Sequence, residues 1–174
     1  MATFVARSPV LVIMGVSGSG KSTIGQALAH RLGWSFADAD DLHPPENIAA
    51  MAAGQPLDDA ARAPWLARVA AWIDARIAAG GPGVIACSAL RRRYRDVLRR
   101  PEVVFVHLAG SVSEIAERVA DRPEHFMPAA LLGSQFETLE LPGKDEHAIT
   151  VDTSGSPEQT VAEIIRILGL HPQG

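Results

Sequence analysis

The sequence predicts an α/β fold, a parallel sheet covered by helices on both faces. Three observations carry that expectation. Short β-branched apolar runs recur along the chain, segments with a 3,4 apolar spacing lie between them, and a glycine-rich turn joins the first run to the first helical stretch.

Val10–Met14 is apolar throughout and stopped by Gly15, as expected of a strand buried on both faces. Gly83–Cys87, Val103–Leu108 and Ala148–Asp152 repeat the pattern, and the weaker Ser35–Asp38 completes five strands. Between them Ile24, Leu28 and Leu32 share one helical face, as do Trp65, Val69, Trp72, Ile73 and Ile77. Ile115 with Val119, and Val161, Ile164, Ile165 and Leu168, repeat the spacing, the last stretch opening on Ser156-Pro157-Glu158 as a helix start. In such a fold ligands sit at the carboxyl ends of the strands. The stretches 44–59 and 123–142 exceed what strand–helix units need, which makes them candidates for a substrate-binding flap and a lid.

With 174 residues, 47% apolar, the chain has the profile of one compact domain of net charge -4. No apolar run approaches the ~20 residues that span a bilayer, and the first residues do not read as a secretory signal, so no membrane partner is expected. The single cysteine, Cys87, and the lack of any Cys/His set with zinc spacing suit a reducing, cytoplasmic setting. The acidic balance gives no general attraction for nucleic acid. Lysine occurs only at Lys21 and Lys144.

Gly15-Val16-Ser17-Gly18-Ser19-Gly20-Lys21-Ser22 matches G-x-x-x-x-G-K-[ST] in full, after a predicted strand and before a predicted helix. Glycines let successive backbone N–H groups point at phosphate oxygens, and the helix start adds its positive end. Lys21 is then placed to bridge the β and γ phosphates of ATP, and the Ser22 hydroxyl to ligate magnesium. Asp38 and Asp40 follow the second strand and alternate to one side of an extended segment, with Asp41 pointing away. One carboxylate could hold the metal through water and the other take a proton from an attacking hydroxyl; the other reading is a solvated acidic turn that caps a helix.

Arg91, Arg92, Arg93, Arg95, Arg99 and Arg100 form the most basic stretch. If helical, Arg91, Arg95 and Arg99 share one face that could clamp an anionic substrate, or the run is simply a solvated surface. Arg118 and Arg122 stand four apart before the 123–142 stretch, where bidentate forks suit phosphate and exposed helix-end charges are the alternative. His43 could contact a polyol or cap a turn, whereas His107 reads as a core histidine and Cys87 as a small buried hydrophobe.

These motifs together resemble the gluconate kinase family of small phosphate-loop kinases, from Val12 to about Leu168. Besides the phosphate loop, the resemblance rests on Asp38-Ala-Asp-Asp-Leu-His-Pro44 with Asn47 and Met51, and on Gly54-Gln-Pro-Leu-Asp-Asp59 with Arg62 and Trp65. Cys87-Ser-Ala-Leu90 with Tyr94-Arg95-Asp96, and Ser134-Gln-Phe-Glu-Thr-Leu-Glu140, complete the set. The resemblance implies ATP-dependent phosphorylation of D-gluconate at its 6-hydroxyl, in a three-layer α/β/α fold with strand order 2-3-1-4-5, usually as a homodimer. It makes Asp40 the substrate-orienting base and Asp38 the indirect magnesium partner. His43, Arg62, Arg91, Arg95 and Gln135 would surround the sugar acid, and Arg118 and Arg122 would belong to the lid.

The phosphate loop with Thr23 would hold the nucleotide, and Ser154 and Pro157 belong to a segment resembling the loop that flanks adenine. The division implied is 9–40 for the first strand, phosphate loop, helix and Asp strand, 41–80 for a substrate-binding insert, 118–142 for the lid region, and 143–174 for the adenine loop and last helix. Ala39, Asp41 and Arg91 depart from the commoner family pattern. Residue types alone would fit shikimate as well as gluconate, and an adenylylsulfate kinase or a non-catalytic nucleotide sensor are the remaining alternatives.

Overall fold

The computed structural model describes residues 8–16, 19–55, 57–110 and 138–172. Five strands, β1 (Val10–Met14), β2 (Ser35–Asp38), β3 (Gly83–Ala86), β4 (Val103–Ala109) and β5 (Ala148–Asp152), form one sheet. Its order is β2-β3-β1-β4-β5, with every pairing parallel. The helices are α1 (Lys21–Leu32), α2 (Pro45–Ala52), α3 (Asp59–Ala78), α4 (Arg92–Leu98) and α5 (Pro157–Leu168), and a 3-10 turn covers Ala39–Leu42. The expected sheet order and all five strands are therefore present, with β3 ending one residue before Cys87.

The period-2 alternation of β1 explains the two faces. Val10, Val12 and Met14 join Trp65, Val69, Ile73, Tyr94 and Leu98 of α3 and α4 in one core. Leu11 and Ile13 join Ile24 and Leu28 of α1 and Val161, Ile164 and Leu168 of α5 in the other. Central strands covered on both sides must be apolar at every position, and β1 is wholly buried. The two helical stripes read from the sequence are thus opposite faces of one sheet.

Local chemistry sets the boundaries near the carboxyl ends of the strands. Helix α1 starts after Gly20, which adopts φ 96°, and ends at Gly33 in a left-handed cap. Gly25 lets α1 approach β2 closely, since a Cβ there would lie 2.8 Å from the Phe36 ring. Asp58 caps α3 through the Ala61 N–H, and Ser156 with Gln159 closes a capping box on α5 with Pro157 at its start.

Candidate active site

The phosphate loop leaves β1 at Gly15, whose φ of 150° and crowding explain the glycine. A Cβ there would lie 2.9 Å from Ser19 Oγ and 3.1 Å from the Leu108 carbonyl oxygen. Of the eight motif residues, Ser17 and Gly18 lie outside the described residues. Lys21 Nζ donates to the Val16 carbonyl at 3.0 Å, so the lysine stays folded against its own loop. Burial lowers its pKa, opposed by the charges of Asp40 and Asp38.

Ser22 Oγ donates to Asp38 Oδ2, and Asp38 Oδ1 accepts the Asp40 N–H at 2.9 Å. The extended geometry expected for this pair is corrected: Asp40 lies in the 3-10 turn and Asp38 is the cap of that turn, with Asp38 also brought onto the Ser22 hydroxyl of the phosphate loop. Asp41 is exposed, as expected. Burial pushes the Asp40 carboxyl up to about 6, against the pull of Lys21, with Asp38 and Asp41 adding to the rise. One hydroxyl and two carboxylates are hard oxygen donors of the kind magnesium takes alongside water and phosphate. Among the described residues no group of three or more His, Cys, Asp and Glu forms an all-protein metal cage. The Ser22 hydroxyl with the Asp38 carboxylate fits an ion that takes its remaining ligands from water and phosphate.

Beside the loop lies a cleft of about 220 Å³ lined by Ser19, Gly20, Thr23, Ile24, Thr153, Gly155, Pro157 and Thr160. The segment 153–157 is thereby brought against the phosphate loop. Pro157 faces the cleft, whereas Ser154 is turned back on Asp152 through its N–H and hydroxyl. Thr153 opens the 153–157 segment that resembles the loop flanking adenine, whereas Thr160 and Ile24 are lining residues that the motif reading missed. Their only sequence signal was position, on the first turns of α5 and α1.

On the other side of Lys21 the segment 38–43 is stapled to α3. Trp65 Nε1 donates to the Ala39 carbonyl at 2.7 Å and its ring stacks on His43 with centroids 4.3 Å apart. Asn47 Nδ2 lies 3.2 Å from His43 Nδ1 and also donates to the Ala61 carbonyl. With an amide donor on Nδ1, the neutral ring carries its proton on Nε2. Burial, then the charge of Arg62, lowers the His43 pKa to about 4, so this imidazole is a neutral donor at physiological pH. Arg62 Nη1 donates to the Tyr94 hydroxyl at 2.8 Å, which in turn donates to Asp59 at 2.6 Å. Arg62 is close enough to His43 for its charge to act on the imidazole, and it is held by Tyr94 and Asp59, to which the motif reading assigned no role.

The basic run is rearranged relative to expectation. Only 92–98 is helical, so Arg91 is the cap before α4 and Arg99 the cap after it, and the proposed shared face does not exist. Arg92, Arg93, Arg99 and Arg100 pair with Asp145, Asp59, Asp96 and Asp74. Arg95, expected at the substrate, is instead 1% exposed, and its donors go to Glu146 and to the Ala89 and Leu90 carbonyls. All three nitrogens of its guanidinium are engaged within the fold, and its burial keeps it from a substrate carboxylate. Arg91 is half-buried, its Nη1 3.9 Å from Glu140 Oε1, and its buried Nε has no partner among the described residues. His107 is buried and Cys87 is buried with its thiol pushed up to about 12 by desolvation, so both expectations for them hold. Arg118, Arg122 and Gln135 lie outside the described residues.

A phosphate loop with a carboxylate pair beside its lysine, on a parallel 2-3-1-4-5 sheet, defines a small phosphate-loop kinase. The shikimate kinase family model matches residues 17–168. A gluconokinase from Gluconobacter oxydans is 50% identical over 158 residues, 90% of this chain and 89% of that protein. Among solved structures, a sugar kinase from Janibacter superposes with a TM-score of 0.89 at 48% identity, covering 95% of this chain and 96% of that one. A gluconokinase from Sinorhizobium meliloti gives 0.82 at 46%, covering 92% and 91%. The chain belongs to the gluconokinase family, within the wider group that the shikimate kinase model describes.

Proposed function

We propose that the protein transfers the γ-phosphoryl group of ATP to the 6-hydroxyl of D-gluconate, giving 6-phospho-D-gluconate and ADP. The observation that carries this is the 50% identity to a gluconokinase along 90% of the chain, joined to a site in which Lys21, Ser22, Asp38 and Asp40 converge. The acceptor oxygen forms a bond to the γ phosphorus as the bond to the β–γ bridging oxygen breaks. Asp40 orients the hydroxyl and takes its proton. A carboxyl near pKa 6 is about nine-tenths ionised at neutral pH yet more basic than an ordinary aspartate, which suits a general base. Lys21 holds the β and γ phosphates, and the backbone of 15–20 with Thr23 cradles them. Ser22 and Asp38 would hold magnesium, which when bound neutralises charge on the transferring group.

His43, Arg62 and Arg91 are assigned to the acceptor, with Gln135 alongside. The neutral His43 suits sugar hydroxyls, and the two arginines supply the cation that a sugar-acid carboxylate needs. Segment 41–80 is assigned to acceptor binding. Arg118 and Arg122 are assigned to a lid over 118–142, and Ser154 and Pro157 to the adenine side. A homodimer in the cytoplasm is the expected setting, checked by light scattering and fractionation.

The deciding measurement is ADP release with MgATP and D-gluconate, alongside shikimate and a no-acceptor control. Stimulation by gluconate alone supports the assignment. A protein that binds ATP but is silent with gluconate refutes it.

A further inference from the structure

The buried ion pair between Arg95 and Glu146 does more than join α4 to the segment before β5. Arg95 Nε and Nη2 grip the two carboxylate oxygens of Glu146 at 2.6 and 3.1 Å, and Nη1 takes the carbonyls of Ala89 and Leu90 at 2.9 and 3.2 Å. Glu146 also accepts the Gly143 N–H at 2.8 Å, and the Glu140 N–H donates to the Leu90 carbonyl at 2.7 Å. The turn held this way is strained: Ala89 adopts φ 44°, the left-handed region that alanine rarely visits. Such a conformation persists where its surroundings over-determine it, and here they do so through one guanidinium fork.

Both ends of the turn reach the site. Upstream, the Ser88 carbonyl accepts the N–H of Gly15, the first residue of the phosphate loop, at 3.3 Å. Downstream, the next residue is Arg91, which caps α4 in an extended conformation with its buried Nε unpartnered among the described residues. We infer that Arg95 and Glu146 are positioning residues of the phosphotransfer site, which hold the Ala89–Leu90 turn so that Arg91 is presented to the carboxylate of the acceptor. Neither touches a substrate. A lysine at 95 keeps the charge but cannot grip a carboxylate and two carbonyls at once.

The inference rests on the acceptor assigned above, and the experiment separates the two. Glu146→Gln, Arg95→Lys, Arg91→Ala and the double variant Glu146→Gln/Arg91→Ala are compared with the wild type in full kinetics and in hydrogen exchange. Glu146→Gln and Arg95→Lys are expected to raise the gluconate KM about tenfold while the ATP KM stays within about twofold. Exchange over 87–92 quickens while β4 stays protected. Because the effect passes through Arg91, Glu146→Gln adds less than about twofold once Arg91 is alanine.

An unchanged gluconate KM in folded variants, a parallel rise for both substrates, or a full further increase in the double variant overturns the inference. Should the variants at 95 and 146 fail to fold, Arg91→Ala decides, and a wild-type gluconate KM overturns it. If the wild type gives no gluconate-dependent ADP release, the acceptor assignment falls. The exchange over 87–92 then decides the positioning alone.

Discussion

Replacing Asp40 by asparagine is expected to raise stability while nearly abolishing turnover. The carboxyl is half-buried among Lys21, Asp38 and the 3-10 turn, and desolvation lifts its pKa from 3.8 to about 6 although Lys21 opposes the rise. An acid that is harder to ionise when folded favours the folded state fully only below about 3.8, and that advantage is lost as pH rises through about 6. About two units at ~1.4 kcal/mol each put the cost of ionised Asp40 near 3 kcal/mol at about pH 8, falling to about half of that at about pH 5. Asparagine stands in for the neutral acid, and the rise to about 6 already includes the pull of Lys21, so the expected gain at about pH 8 is up to about 3 kcal/mol. Urea melts of both proteins at about pH 8 and about pH 5, without nucleotide, measure it. ADP release should fall by a factor on the order of a hundred or more, with ATP affinity nearly intact. An asparagine variant less stable at about pH 8, or a gain that does not shrink toward about pH 5, refutes the desolvation argument. Near wild-type turnover removes Asp40 from the chemistry.

The same carboxyl sets a pH profile: kcat/KM for gluconate should drop about tenfold between about pH 7 and about pH 5, and a flat profile would contradict Asp40 as the base. Gly15→Ala should cost at least about 2 kcal/mol in a urea melt and weaken ATP binding, because the Leu108 carbonyl that its Cβ meets is fixed in β4. A variant that melts and binds like the wild type would show that the loop can relax there. Tyr94→Phe removes the hydroxyl between Arg62 and Asp59, and the gluconate KM should rise about three- to tenfold with kcat little changed. Unchanged KM would mean that Arg62 is oriented without Tyr94.

The nucleotide half of the site was legible because it is made mostly of backbone. A glycine pattern states directly where φ turns positive, and the strands around it announce themselves by apolar runs without long-range information. The half proposed for the acceptor was legible only as a set of residue types. A spacing of four assumes that the helix already exists at Arg91, yet α4 begins at Arg92 because the Ala89 turn delivers Arg91 in an extended conformation. Arg95 then points inward to Glu146, 51 residues away, a pairing that no local pattern encodes. Trp65 was correctly placed on the buried stripe of α3, but its second task, clamping Ala39 and His43, belongs to the tertiary fold alone.

That difference bears on how such a fold acquires its acceptor. The phosphate loop can be altered little, since Gly15 is boxed in by Ser19 and by the Leu108 carbonyl. The side chains proposed for the acceptor stand on the 38–43 segment, α3 and the turn before α4, each fixed by a separate contact: Trp65 on Ala39, Tyr94 on Arg62, Arg95 on Ala89. A shared sheet therefore leaves the acceptor open, and on the proposed assignment it is decided by side chains such as His43, Arg62 and Arg91, and by the residues behind them that hold them in place.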